Sequence, residues 1–129
     1  MQKTVSAIMA RNVIMADMND SIADVESLMN SHEHHCIPVI DSEGMIFGMI
    51  SLKDVENLHA GKRNLKALKA WEECTYRPIE IEPDISIEEA ARIMAEHDIH
   101  HVVVTENKAV KGIVSSMDIV KEYLLQTRS

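Results

Sequence analysis

The chain carries one pattern twice. The stretch "SIADVESLMNSHEHHCIPVI", from Ser21, aligns with "SIEEAARIMAEHDIHHVVVT", from Ser86, and "GMISLKD" (48–54) aligns with "GIVSSMD" (112–118). Between Ser21 and Asp54 there are 33 aligned pairs, nine of them identical, with one residue near Phe47 skipped in the second copy. A period of about 65 residues is longer than that of solenoid repeats, so two copies imply a pseudo-symmetric pair rather than an array.

Each copy reads in the same order. A short extended stretch, "NVIMA" (12–16) or "RPIEI" (77–81), precedes an amphipathic helix from Ser21 to about Ser31 or from Ser86 to about His97. Ile22, Val25, Leu28 and Met29 fall at helical spacing, as do Ile87, Ala90, Ile93 and Met94. The β-rich runs "CIPVI" and "HVVVT" follow, then the polar turns "DSEG" and "ENKA", then a second strand ending at Ile50 or Val114. A last helix starts at Ser51 or Ser115. Residues 61–75 read as a charged connector, helical in its middle. Each copy is too small to bury its own sheet well, which favours two sheets packed together with helices outside. The expected fold is α+β, an α/β roll of two β-α-β-β-α motifs (1–60 and 76–129) forming one module.

Composition narrows the function classes. Apolar residues make up 46% of the 129 and aromatic residues only 3%, so the core is aliphatic, with nine methionines available as fillers. The formal charge of −8 is shared equally between residues 1–64 and 65–129, which argues against nucleic-acid or anionic-membrane surfaces. Cys36 and Cys74 have no paired spacing, and neither a signal peptide nor a membrane-length apolar run is present. The expectation is a soluble, cytoplasmic protein with reduced thiols.

The run "SHEHHC" (31–36) invites a metal reading, through His32, His34 and His35. His32 aligns with His97 and His35 with His100, so His-x-x-His occurs in both copies. Both fall where a helix hands over to a strand, and ligands leaving there diverge, whereas zinc needs a rigid tetrahedral frame. Junction histidines are the preferred reading, and no metal site is expected.

Four Ser-x-x-Asp/Glu pairs, Ser21/Asp24, Ser51/Asp54, Ser86/Glu89 and Ser115/Asp118, mark helix starts as capping boxes. Ser51 and Ser115 differ from the others in following a strand-ending glycine, Gly48 or Gly112, by three residues. A glycine there lets a planar group approach the backbone. The hydroxyl and the open helix N–H groups suit a phosphate. Asp54 or Asp118, one turn in, suits the hydroxyls of a ribose. Alone the pattern is weak; repeated at matching points, it describes a nucleotide cradle.

With these residues the chain resembles the tandem cystathionine-β-synthase (CBS) domain family over about residues 5–125. The resemblance implies two motifs in one module, with two clefts between them that take AMP, ADP, ATP or S-adenosylmethionine, and no obligatory cofactor. It implies ribose contacts from Asp54 and Asp118 and phosphate contacts from Ser51 and Ser115. Val13, Ile14, Pro78 and Ile79 would border the adenine. Family members often place a basic residue before the aspartate; Lys53 fits and Met117 does not, so the Asp54 side looks better equipped for phosphates. Arg11, Arg77 and Lys111 are further candidate cations, and His35 and His100 could face the clefts.

No Gly-x-Ser-x-Gly elbow, phosphate loop or HExxH helix is present, and catalysis is not expected. The leading expectation is a stand-alone regulatory module that binds an adenosine-containing ligand and signals to a partner protein. The alternatives are a scaffold or dimerisation module without tight nucleotide binding and, further off, a histidine-based metal binder. The resemblance also implies a homodimer joined through the helices of each half, with the faces around Leu28/Met29 and Ile93/Met94 as candidate surfaces.

Overall fold

A computed structural model describes residues 3–127. The chain forms two compact units that cut across the two sequence motifs: Ile14–Pro78 is one, and the segment through Val13 joins Ile79 onward to make the other.

In the unit of residues 14–78 the sheet order is β1 (Ala16–Asp17), β2 (Cys36–Ile40), β3 (Ile46–Ser51), β4 (Thr75–Tyr76). β1 runs parallel to β2, and the other neighbours are antiparallel. Helices α1 (Ile22–His32), α2 (Leu52–Ala60) and the single turn α3 (Ala70–Glu73) complete it. Ile22, Val25 and Met29 of α1 meet Ile37, Val39, Ile50 and Val55 in one fully buried cluster. The second unit has β5 (Glu80–Ile81), β6 (His101–Glu106) and β7 (Ala109–Ser115), with α4 (Ile87–His97) and α5 (Ser116–Thr127). Its own cluster gathers Val5, Met9, Ile81, Ala90, Met94, Val102, Val104 and Val114. The expectation that neither copy buries its sheet well is therefore corrected. Each unit has a core, because it borrows a segment from outside its own motif.

Those borrowed segments are equivalent. Ala10 bridges Ile113 on β7, while Thr75 pairs with Met49 on β3. Thr4 bridges Ser86 just as Lys69 bridges Ser21. The repeat thus reaches back to residues 4–10 and 69–75, and each leading segment docks on the other copy's strands. The last part of what reads as a charged connector, residues 69–75, is the start of the second copy, and its helix is limited to Ala70–Glu73. The extended stretches are also shorter than expected, because only Ala16–Asp17 and Glu80–Ile81 reach a strand partner.

The skipped residue lies in the hairpin turn, not near Phe47. Ile40 pairs with Ile46 and Thr105 with Val110, leaving five residues in the first turn and four in the second. Asp41 closes the longer turn with Oδ1, which accepts from the N–H groups of Glu43 and Met45. Asn107 and Lys108 close the shorter one, both at positive φ, the geometry of a tight two-residue hairpin.

Helices α1 and α4 end alike. Glu33 (φ 57°) and Asp98 (φ 53°) take the left-handed conformation, and their N–H groups donate to Met29 and Met94.

Candidate helix-mouth sites

The two candidate cradles sit where β3 enters α2 and β7 enters α5. Ser51 Oγ accepts from the Asp54 N–H at 3.1 Å, and Asp54 Oδ2 accepts from the Ser51 N–H at 2.8 Å. Ser115 and Asp118 repeat this at 3.1 and 2.8 Å. Ser21 and Ser86 accept likewise from the N–H groups of Asp24 and Glu89, but neither acid accepts from its serine's N–H, so only two of the four expected capping boxes are reciprocal. The first helical N–H at each mouth is also committed: Leu52 donates to the His35 carbonyl at 2.7 Å and Ser116 to that of His100 at 2.9 Å. Fewer open donors face outward than the sequence pattern suggests. Each aspartate still keeps Oδ1 without a hydrogen-bond partner among the described residues.

The glycines have a different task from the one read in the sequence. A Cβ on Gly48 would lie 2.5 Å from Cys74 Sγ and 2.6 Å from the Thr75 carbonyl oxygen. On Gly112 it would lie 2.6 Å from Met9 Sδ and 2.9 Å from the Ala10 carbonyl oxygen. The room left by the missing side chain is filled by the chain's own leading segments, not held open for a planar ligand.

The histidine run is likewise used internally. Nδ1 of His32 donates to the Leu28 carbonyl at 3.0 Å, and Nδ1 of His97 to the Ile93 carbonyl at 2.9 Å. Each ring thus folds back on the end of its own helix. His34 stacks beside His32, and the side chains of His35 and His100 are exposed. Among the described residues no group of three or more His, Cys, Asp or Glu is placed to share a metal ion.

Of the candidate cations, Lys53 and Lys111 are exposed. Arg11 donates to the Ser6 carbonyl at 2.7 Å, and the Arg77 guanidinium lies over the Tyr76 ring at 5.3 Å. Val13, Ile14, Pro78 and Ile79 are all half-buried. Ile14 packs on the first cluster and Ile79 on the second.

The cysteines belong to the first mouth, which sequence reasoning overlooked. Cys36 pairs with Ser51 across the ladder, and its thiol is pushed up to about 12, first by burial and then by the Asp54 carboxylate. The Cys74 thiol is also raised, again by burial first, with Asp54 adding to it. At the second mouth the equivalent positions are His101, which pairs with Ser115, and Met9.

The CBS domain model matches residues 5–59 and again 71–125. The chain belongs to the CBS domain family. The uncharacterized protein MJ1404 of Methanocaldococcus jannaschii is 33% identical over 130 residues, which cover 91% of this chain and 31% of that protein. The present chain therefore spans about a third of that relative. YlbB of Bacillus subtilis is 27% identical over 101 residues, 78% of this chain and 68% of that protein. Two structures of the CBS domain pair of protein MJ0100, in complex with 5'-methylthioadenosine and S-adenosyl-L-methionine, share the fold. Their TM-scores are 0.89 and 0.85, at 24% and 25% identity, covering 98% and 94% of this CBS chain and 99% of that one. No described helix is long and apolar enough to cross a membrane.

Proposed function

We propose that this CBS pair is a regulatory module that binds an adenosine-containing ligand, AMP, ADP, ATP or S-adenosylmethionine, and reports its occupancy to a partner protein. The observation that carries the reading is the matched pair of aspartates, each anchored through Oδ2 and open at Oδ1. Anchoring fixes the carboxylate at low entropic cost, and the open oxygen accepts from ribose hydroxyls. Ser51 and Ser115 stand where a phosphate meets the positive end of a helix. Lys53 adds charge at the first mouth only, and Val13, Ile14, Pro78 and Ile79 offer apolar surface to the base. Gly48 and Gly112 enter as spacers for the leading segments. The adenosine ligands of the MJ0100 pair support the ligand class. As a sensor, the module works only through unequal affinity for two states of itself.

Titration with the four ligands, followed by thermal unfolding, tests this. A ligand at a hundred times its Kd adds about 2.7 kcal/mol, which raises Tm by about 10 °C for a chain of this length. Asp54→Asn and Asp118→Asn keep an oxygen for the serine N–H but remove the charge. The first is expected to weaken binding more. No shift with any of the four ligands refutes the reading, and equal losses refute the ranking of the two mouths.

A further inference from the structure

Neither helix face named from the sequence is free to dock a partner: Met29 and Met94 are core, and Leu28 and Ile93 pack against it. The distribution of charge leads instead to the loop between α2 and α3. Lys62, Arg63, Lys66 and Lys69 are four of the chain's 13 cations, set within eight residues, and no acid stands between Glu56 and Glu72. The other nine cations face 21 carboxylates, so an island of +4 sits on a remainder of −12.

The island is held in place and left unpaired. Leu65 is buried and Leu68 packs on the first cluster, while all four cations are exposed. The Leu65 and Leu68 carbonyls accept from the N–H groups of Ala23 at 3.2 Å and Ile22 at 2.8 Å, so the loop backbone closes the start of α1. The N–H groups of Lys62 and Arg63 donate to the carbonyls of His59 at 2.9 Å and Leu58 at 3.1 Å, at the end of α2. Arg63 reaches Glu73 only at 3.8 Å, and Lys62, Lys66 and Lys69 make no ion pair among the described residues. Complementing the negative end of α2 accounts for Lys62 and Arg63, which follow it directly, but not for Lys66 and Lys69. Two residues further on stands Trp71, the chain's one tryptophan, 46% exposed. Tryptophan and arginine are the side chains that most often anchor protein interfaces.

We infer that residues 62–71 dock an acidic segment of a partner protein, its carboxylates on the four cations and its apolar side chains on Trp71. A loop already ordered loses little entropy on binding. Screening over about 8 Å at physiological salt favours a short segment over an extended polyanion. A segment lying on the loop feels the island, whereas a nucleic-acid duplex or a membrane overruns it and meets the acidic remainder. The inference does not rest on nucleotide binding, and its test uses no adenosine ligand.

Fluorescence anisotropy tests it, with the full chain titrated into a fluorescein-labelled, glutamate-rich peptide that has central leucines and no tryptophan. Lys62→Glu/Lys66→Glu is compared with Lys111→Glu/Lys121→Glu, which makes the same change in net charge at exposed lysines elsewhere. Circular dichroism verifies both folds. The expected result is saturable binding that weakens as salt is raised, and a shift in Trp71 emission when the unlabelled peptide saturates the chain. Affinity falls about tenfold or more with the first pair alone. Absence of saturable binding, unmoved Trp71 emission, equal loss with both pairs, or tighter binding of a single-stranded oligonucleotide or of phosphatidylserine vesicles would each overturn it.

Discussion

Replacing Gly48 by alanine separates two explanations of the same residue. If the glycine makes room for a ligand, the variant folds normally and loses binding. If it makes room for the leading segment, the variant is destabilised with no ligand present. The new Cβ meets a thiol, Cys74 Sγ at 2.5 Å, which can rotate away, and a backbone oxygen, Thr75 O at 2.6 Å, which cannot move unless β4 moves. Overpacking of this kind costs about 2–3 kcal/mol, enough to lower the urea midpoint by about 1–2 M. At Gly112 the nearest atoms are the Sδ and Cγ of Met9, the far end of a flexible side chain, and the Ala10 oxygen lies further off at 2.9 Å. That variant is expected to lose about 1–2 kcal/mol. Two controls calibrate the series. Gly61, at φ −80° with no atom nearer than 3.5 Å, accepts alanine within about 0.5 kcal/mol. Gly44, at φ +80° in open space, loses about 1 kcal/mol to backbone strain alone. Adding Cys74→Ala to Gly48→Ala removes the sulfur clash but leaves the carbonyl, so rescue is partial. A Gly48→Ala variant as stable as Gly61→Ala would refute the packing argument.

Cys36 is expected to resist iodoacetamide at pH 8, where a thiol titrating at about 12 is thiolate in only about one molecule in ten thousand; labelling in the native state at the rate seen in urea would contradict its burial. The same shift sets a pH dependence. The folded state prefers the protonated thiol, so its share of stability is intact below about pH 9, the unfolded value, and is lost as pH rises towards about 12. Urea midpoints measured across that range test the sign. Glu33→Gly or Asp98→Gly relieves a left-handed Cβ at a helix end and is expected to stabilise by up to about 1 kcal/mol, since the gain exceeds the entropy that glycine adds to the unfolded chain; a lower melting temperature in both variants would show that these side chains make contacts worth more than the strain.

Much of this was legible in the sequence because local chemistry and the repeat agreed. Serine caps, helical spacing and β-rich runs placed α1, α2, α4, α5 and the central strands to within a residue or two. The leading segments were not legible. "TVSAIMA" (4–10) and "KAWEECT" (69–75) share no identical pair, though they occupy equivalent places. The matched bridges of Thr4 and Lys69, the buried pair Val5 and Ala70, and the contacts of Met9 and Cys74 with the two glycines reveal it. These partners lie far away in sequence, so no local pattern announces them. The same distance hid the glycines' purpose. The exposed apolar residues of α5, Met117, Val120, Tyr123 and Leu124, were missed for another reason: alignment draws attention to what the copies share, and these stand where α2 has Lys53, Glu56, His59 and Ala60.

That difference carries the last step. What both copies keep, the serine–aspartate box and the glycine under the leading segment, is needed by the fold in either place. What they have changed is freer to report function. The residue before the aspartate lies at once beside the helix mouth and on the exposed face of the helix. As Lys53 it is a cation, continued along α2 by Glu56 and His59; as Met117 it begins an apolar strip continued by Val120 and Leu124. One side chain cannot serve a phosphate and a dry interface together, because a buried ammonium without a partner is costly. Lys53 therefore puts charge beside the first mouth, and Met117 puts apolar surface beside the second.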